Sequence, residues 1–259
     1  MAASQKLKVG DVEVARIGLG TNRLTNTPGH VAFVKEAVAA GVNLIDTAHT
    51  YAGGESEETI GAALAPIPED VVVATKGGWN TGRPEVIATE IEESLRRLRT
   101  SSIALFYLHR PDPQTPIEES LSVIEEYREK GTIRHAGVSN VTVAQIERAR
   151  AVLPIAAVQN HYSLAERKHE DVVDYCAREG IVFVPYFPLR GVGGRALDEI
   201  AGRHGATTAQ IALAWLLRRS PVTLPIPGTL SLEHLRENLA ALQIELTDDE
   251  VLAADRVSD

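Results

Sequence analysis

The 259-residue sequence predicts an α/β fold, a (β/α)8 TIM barrel with an N-terminal β-hairpin and extra C-terminal helices. Three observations carry this. Short apolar runs alternate with amphipathic stretches along the chain, the pattern of βα units around a parallel sheet. Eight such runs follow the hairpin, starting at Ile17, Leu44, Val71, Ile103, Ile133, Ala156, Ile181 and Val222. The length fits the roughly 250 residues of one barrel. No Ser/Pro-rich linker or low-complexity tract divides the chain, so residues 1–259 are expected to form a single domain. A doubly wound dinucleotide-binding sheet would need G-x-G-x-x-G after its first strand. Gly18-Leu19-Gly20 begins that pattern, but Arg23 stands where the third glycine is required.

The elements follow in order. Leu7-Lys8-Val9 and Val12-Glu13-Val14 alternate around Gly10-Asp11, a hairpin signal. Strand 17–19 precedes a helix over 30–40, ended by Gly41. Strand 44–46 leads to helix 56–64. The β-branched strand 71–75 leads to helix 84–98, with Pro84 in its first turn. Strand 103–108 precedes helix 116–130 and its stop at Gly131. Strand 133–138 precedes helix 142–150, and strand 156–159 precedes helix 168–179, stopped by Gly180. Strand 181–184 is followed by two helices, 196–204 and 208–218. Strand 222–224 leads to helix 232–242, and a short helix over 248–255 closes the chain. Cys176 falls on an apolar stripe with Val172 and Val173, a core position rather than a nucleophile's.

Charge and composition exclude several classes. With 35 acidic against 26 basic residues the net charge is −9, which argues against a nucleic-acid partner. One cysteine rules out a disulfide framework and a Cys-rich zinc site. No apolar run reaches the roughly 18 residues of a membrane span, and the first ten residues lack the apolar segment of a secretory signal. A soluble, cytoplasmic protein, with no membrane partner, is expected. The eight histidines are scattered, without H-x-H or H-E-x-x-H, so a metal-dependent barrel hydrolase is disfavoured and no metal is expected.

In such a barrel the chemistry sits at the C-terminal strand ends. Those ends carry Gly20-Thr21-Asn22-Arg23, Asp46, Thr75-Lys76, His109, Ser139-Asn140, Gln159-Asn160 and Pro185-Tyr186, with Tyr51 just past Asp46. Each residue alone has an ordinary structural explanation; the argument is their convergence on one mouth. A lysine beside a carboxylate has its charge compensated. Beside a tyrosine it is expected to depress the phenol pKa from about 10. That arrangement makes a proton donor near neutral pH. A histidine at the same mouth would orient a carbonyl, and the set suits carbonyl reduction by hydride.

Several segments carry a resemblance. Asp46-Thr47-Ala48-His49-Thr50-Tyr51, Thr75-Lys76, Leu108-His109-Arg110-Pro111-Asp112, Gly137-Val138-Ser139-Asn140 and Gln159-Asn160 occur in order. Ile226-Pro227-Gly228-Thr229 follows, then His234 and Glu237-Asn238. Over nearly the whole chain this resembles the aldo-keto reductase superfamily. The resemblance implies an NADPH-dependent carbonyl reductase, NADH being possible, acting on a small-molecule carbonyl. Tyr51 would be the general acid, tuned by Lys76 and Asp46, with His109 orienting the substrate. Ser139, Asn140 and Gln159 would hold the carboxamide and Tyr186 would stack on the nicotinamide. Pro188, Leu189 and Gly191 would border the pyrophosphate; Phe187, where many members carry a small or polar residue, would either pack or shape that channel; Gly20, Thr21 and Asn22 would line the floor. Ile226, Pro227, Gly228, Thr229, Ser231, His234, Glu237 and Asn238 would form the adenosine-side segment.

Arg23, His49, Trp79 and Arg110 are candidates for the substrate pocket. For His49 a solvated loop position is the favoured reading; for Trp79 a pocket wall and a packed rim weigh equally. The alternative function is an NADPH-binding, catalytically weak regulatory protein of the same fold. Joint retention of Asp46, Tyr51, Lys76 and His109 favours the enzyme. A monomer or weak oligomer is expected.

Overall fold

In the computed structural model, which describes residues 5–256, seven parallel strands run in sequential order around a nearly closed barrel. Ahead of them, β1 (Lys6–Val9) and β2 (Val12–Ala15) form the expected hairpin, with Lys6 opposite Ala15 and Val9 opposite Val12. Its Val9 and Val14 are buried in one cluster with Leu44, Val72, Leu105, Val182 and Leu224. Leu44, Val72 and Val182 begin their strands, so the hairpin plugs the N-terminal end of the barrel. The open mouth is left at the opposite end.

The strands are β3 (Leu19–Gly20), β4 (Leu44–Asp46), β5 (Val72–Gly77), β6 (Ile103–Leu108), β7 (Ile133–Ser139), β8 (Ile155–His161) and β9 (Val182–Tyr186). They are apolar on both faces because side chains fill the barrel inside and helices cover it outside.

The eighth expected strand, 222–224, is corrected: it is a bridge rather than a ladder. Phe183 pairs with Thr223, and Gly20 with Gly228. Leu224 N–H donates to Phe183 O at 2.8 Å on one side. On the other side, Gly18 N–H donates to Pro225 O and Gly20 N–H to Pro227 O. Prolines 225 and 227 have no N–H to return, so half of that edge's hydrogen bonds are lost. The segment still closes the gap between β9 and β3. Buried Arg16 secures it, donating to Thr223 O, Leu217 O and Ser220 O.

Outside lie α1 (Pro28–Ala39), α2 (Glu55–Leu64), α3 (Pro84–Leu98), α4 (Ile117–Glu129), α5 (Val143–Arg150) and α6 (Glu170–Glu179). Then come α7 (Arg195–His204), α8 (Thr208–Arg219), α9 (Leu232–Ala240) and α10 (Asp248–Asp255). Thr142, Thr207 and Thr247 each build a capping box with the Gln or Glu three residues on. α6 starts at Glu170, two residues later than expected, and Gly180 ends it in the left-handed conformation at φ 68°. Cys176 is buried in the core as expected, and burial pushes its thiol pKa up to about 12. Among the described residues no helix is long and apolar enough to cross a membrane.

Candidate active site

Asp46 ends β4 and Lys76 is the fifth residue of β5, while His109 follows β6 directly. The neighbouring registers, Asp46 with Ala74 and Lys76 with Tyr107, bring these side chains to one level at the mouth. Tyr51 begins a short 3-10 turn, Tyr51–Gly54, that leads into α2. Ala52, Gly53 and Gly54 all have positive φ there, a tight path for which the two glycines carry no Cβ penalty.

Lys76 is completely buried, and its ammonium has three acceptors. It donates to Asp46 Oδ1 at 2.6 Å, to Thr47 O at 2.6 Å and to Tyr51 Oη at 3.3 Å. Asp46 Oδ2 accepts from Gln159 Nε2 at 2.7 Å. Every charged atom is thus paired, as a buried ion pair requires. Burial opposes the Lys76 charge, but Asp46 and Tyr51 outweigh it and its pKa is raised.

Tyr51 departs from the expected depression. Burial raises its pKa above the ordinary tyrosine value; Lys76 pulls it down, but does not win. The phenol therefore holds its proton at neutral pH, while Lys76 would stabilise the phenolate left after donation. His109 is pulled down to about 3, first by burial and then by the charges of Lys76 and Arg110, so its imidazole is neutral. Its ring meets Tyr51 edge-on at 6.1 Å and lies 4.7 Å from Trp79. Its backbone is pinned by donation to Gly77 O at 2.7 Å, and its carbonyl accepts from Asn140 Nδ2.

A cleft of about 870 Å³ opens at this mouth. Gly20, Thr21, Asn22, Asp46, Tyr51 and His109 line it, with Ser139, Asn140 and Gln159. Tyr186, Phe187, Pro188 and Leu189 form one wall, and Ile226, Pro227 and Gly228 another. Arg23 and Trp79 also line it, which gives Trp79 the pocket-wall position. Lys76 lies beneath Tyr51.

Other expected residues are not in the lining. Gly191, Thr229, Ser231, His234, Glu237 and Asn238 stand outside it, and Asn238 is buried. Arg110 is also outside the lining, its guanidinium 4.7 Å from the Trp79 ring centroid. His49 is not a solvated loop histidine. Its Nε2 lies 2.6 Å from Glu93 Oε2 on α3 and its Nδ1 3.7 Å from Glu90. The short loop between β4 and Tyr51 turns that side chain onto α3, where carboxylates compensate its polarity.

Gln159, expected to hold a carboxamide, has its Nε2 committed to Asp46. Thr50, Arg190 and His161 were missed. Thr50 and Arg190 line the cleft. His161 stacks on Tyr186 at 5.3 Å with 10° between planes. It stands two residues after Gln159 on β8, so strand alternation could have found it.

The site can take a flat group. Tyr186 faces the cleft while His161 backs its ring, and its hydroxyl donates to Asn140 Oδ1 at 2.7 Å. A Cβ on Gly20 would lie 2.7 Å from Ile226 O, so only glycine permits this close wall. Just outside the lining, α9 presents its N-terminus, with Ser231 Oγ accepting from His234 N–H.

Comparison with known proteins agrees with this geometry. The profile of the Aldo/keto reductase family matches residues 16–195 and 193–259. The chain is 36% identical to pyridoxine 4-dehydrogenase of Escherichia coli, over 99% of each chain. A crystal structure of the thermostable aldo-keto reductase Tm1743 in complex with the inhibitor epalrestat superposes with a TM-score of 0.91, at 34% identity, covering 98% of this chain and 100% of that one. An aldo/keto reductase from Klebsiella pneumoniae in complex with NADP and acetate gives 0.89 at 30% identity, covering 98% and 95%. On the match of profile, sequence and barrel alike, the chain belongs to the aldo/keto reductase family of oxidoreductases.

Proposed function

We propose that the protein reduces aldehyde or ketone carbonyls to alcohols at this mouth, using NADPH, with Tyr51 as the general acid. The observation that carries the reading is the buried Lys76 ammonium, shared between Asp46 at 2.6 Å and Tyr51 at 3.3 Å, beside a neutral His109.

The carbonyl oxygen would sit between Tyr51 Oη and the His109 ring. Neutral His109 orients it without competing for the proton. Tyr51 gives its proton to the oxygen, and Lys76 holds the phenolate that remains, its own charge balanced by Asp46. When bound, the nicotinamide supplies the hydride that reaches the carbonyl carbon. Tyr186 would stack on its ring, and Ser139 and Asn140 would hold its carboxamide. Gln159 would act mainly by fixing Asp46. Pro188, Leu189 and Arg190 would follow the pyrophosphate, and Thr229, Ser231 and the α9 N-terminus would take the adenosine-side phosphate. The Klebsiella relative's NADP complex supports the choice of NADPH. The Escherichia coli relative is named a dehydrogenase, and the same groups run in reverse would oxidise an alcohol.

The test is binding of NADPH and NADH, followed by fluorescence, beside their consumption on a panel of aldehydes and ketones. Turnover with NADPH is the expected result. Binding without turnover on any carbonyl would favour a regulatory role, and no binding of either nucleotide would sink both readings.

A further inference from the structure

The charge around the cleft is opposite to that of the molecule. The chain carries nine more acidic than basic residues, yet among the described residues the only carboxylate lining the cleft is Asp46, already committed to Lys76 and Gln159. Exposed arginines stand at its rim. Arg23 donates to Gly228 O at 2.9 Å and belongs to the 226–228 wall. Arg190 sits beside Leu189 on the proposed pyrophosphate side.

Arg110, which follows His109 and lies just outside the lining, is different, because it stands on the side of the proton donor. Its guanidinium lies 4.7 Å from the Trp79 ring centroid, and its Nε donates to Trp79 O at 2.7 Å. The indole in turn lies 4.7 Å from the His109 ring. Imidazole, indole and guanidinium thus form one continuous row. Among the described residues Arg110 has no ion-pair partner within 4.0 Å. Asp112, two residues on, is filled by donors from Thr81, Gly82, Gln114 and Thr115, which hold its pKa down to about 2.

We infer that the substrate of this reductase carries a carboxylate, held by Arg110 while its body lies along Trp79 and its carbonyl reaches Tyr51 and His109. The inference rests on the reductase reading and names its substrate class. A fixed Nε leaves the terminal nitrogens as a fork that fits one carboxylate. A single guanidinium matches a monoanion better than a phosphate dianion. Trp79, 41% exposed, supplies a flat apolar wall between the two ends. Charge at the rim would also draw an anionic substrate toward a protein that otherwise repels it.

The probes are 4-carboxybenzaldehyde and its methyl ester, which share ring and aldehyde but differ in charge; the ester withdraws electrons more strongly than the ionised carboxylate, so its aldehyde is intrinsically the more reactive. Relative to Arg110→Met, the wild type should have an acid-to-ester ratio of kcat/KM higher by roughly tenfold at low salt, and high salt should shrink that difference. Arg110→Met should keep only the intrinsic preference for the ester, and Arg110→Lys should restore part of the lost acid-to-ester ratio. The ratio within one variant is insensitive to how much of that variant folds. An acid-to-ester ratio unchanged in Arg110→Met would overturn the inference and leave the reductase reading standing. No reduction of either aldehyde, or of any other carbonyl, would overturn both.

Discussion

The two sides of the cleft are organised differently. At the ends of β4, β5 and β6 the polar groups are held by the protein itself. Lys76 has three acceptors, Asp46 has a donor on each oxygen, and the backbone of His109 is tied to Gly77 and Asn140. Across the cleft, Ile226, Pro227 and Gly228 offer mostly backbone and apolar surface. Beyond them Thr229 and Ser231 bond to one another, Ser231 N–H donating to Thr229 Oγ1 at 3.0 Å. On the proposed reading, the first side is preorganised for proton transfer. The second is shaped to receive a ligand and spends few charged groups on it. Changes to the first should alter rate and stability together; changes to the second should alter affinity.

The largest effect is expected from Lys76→Met. It leaves the Asp46 carboxylate buried without its cation, at about 3–5 kcal/mol, and removes the charge that would hold the Tyr51 phenolate. Rate should fall by about 10²–10⁴, and thermal melting should show a lower Tm. A variant as stable and as fast as the wild type would break the contrast between the two sides.

Next in size is an acid effect at His109. Its folded pKa is about 3, against an ordinary 6.5. Below about pH 6.5 the unfolded chain takes up a proton that the folded protein refuses. Stability is therefore retained above that pH and lost as pH falls toward 3. Melting curves at neutral and acid pH should show that His109→Gln loses less stability on acidification than the wild type. Rate should likewise show no limb from His109 near neutral pH.

Tyr186→Ala tests the receiving side. Loss of a stacking platform worth about 0.5–1.5 kcal/mol should weaken NADPH binding by several-fold in a fluorescence titration, with a smaller change in kcat. The smallest effect is expected at Arg236, which is exposed on α9. Arg236→Ala should leave stability within about 0.5 kcal/mol and NADPH affinity nearly unchanged; a large loss would bring that side chain into the phosphate site.

Much of this was legible in the sequence because it depends on local pattern. Seven of the eight strands and the order of the helices follow from apolar runs, Thr caps and glycine stops. The polar strand ends named the tetrad, since a buried lysine or histidine after an apolar strand is conspicuous. Three things were not legible, each for a tertiary reason. The eighth strand was weakened by the alternation of Pro225 and Pro227, whose cost depends on which neighbour each residue faces. His49 was hidden because its partners, Glu90 and Glu93, lie on a helix some forty residues away. The direction of the Tyr51 pKa needed the competition between burial and Lys76, and motif spacing does not measure burial.

The most direct measurement is a single turnover of Tyr51→Phe beside the wild type, each preloaded with NADPH and mixed with an aldehyde that the wild type reduces. If Tyr51 is the proton donor, the variant binds NADPH as the wild type does, and its hydride transfer falls by about 10²–10⁴. A phenylalanine variant that binds the cofactor and reduces the aldehyde at the wild-type rate would contradict the account.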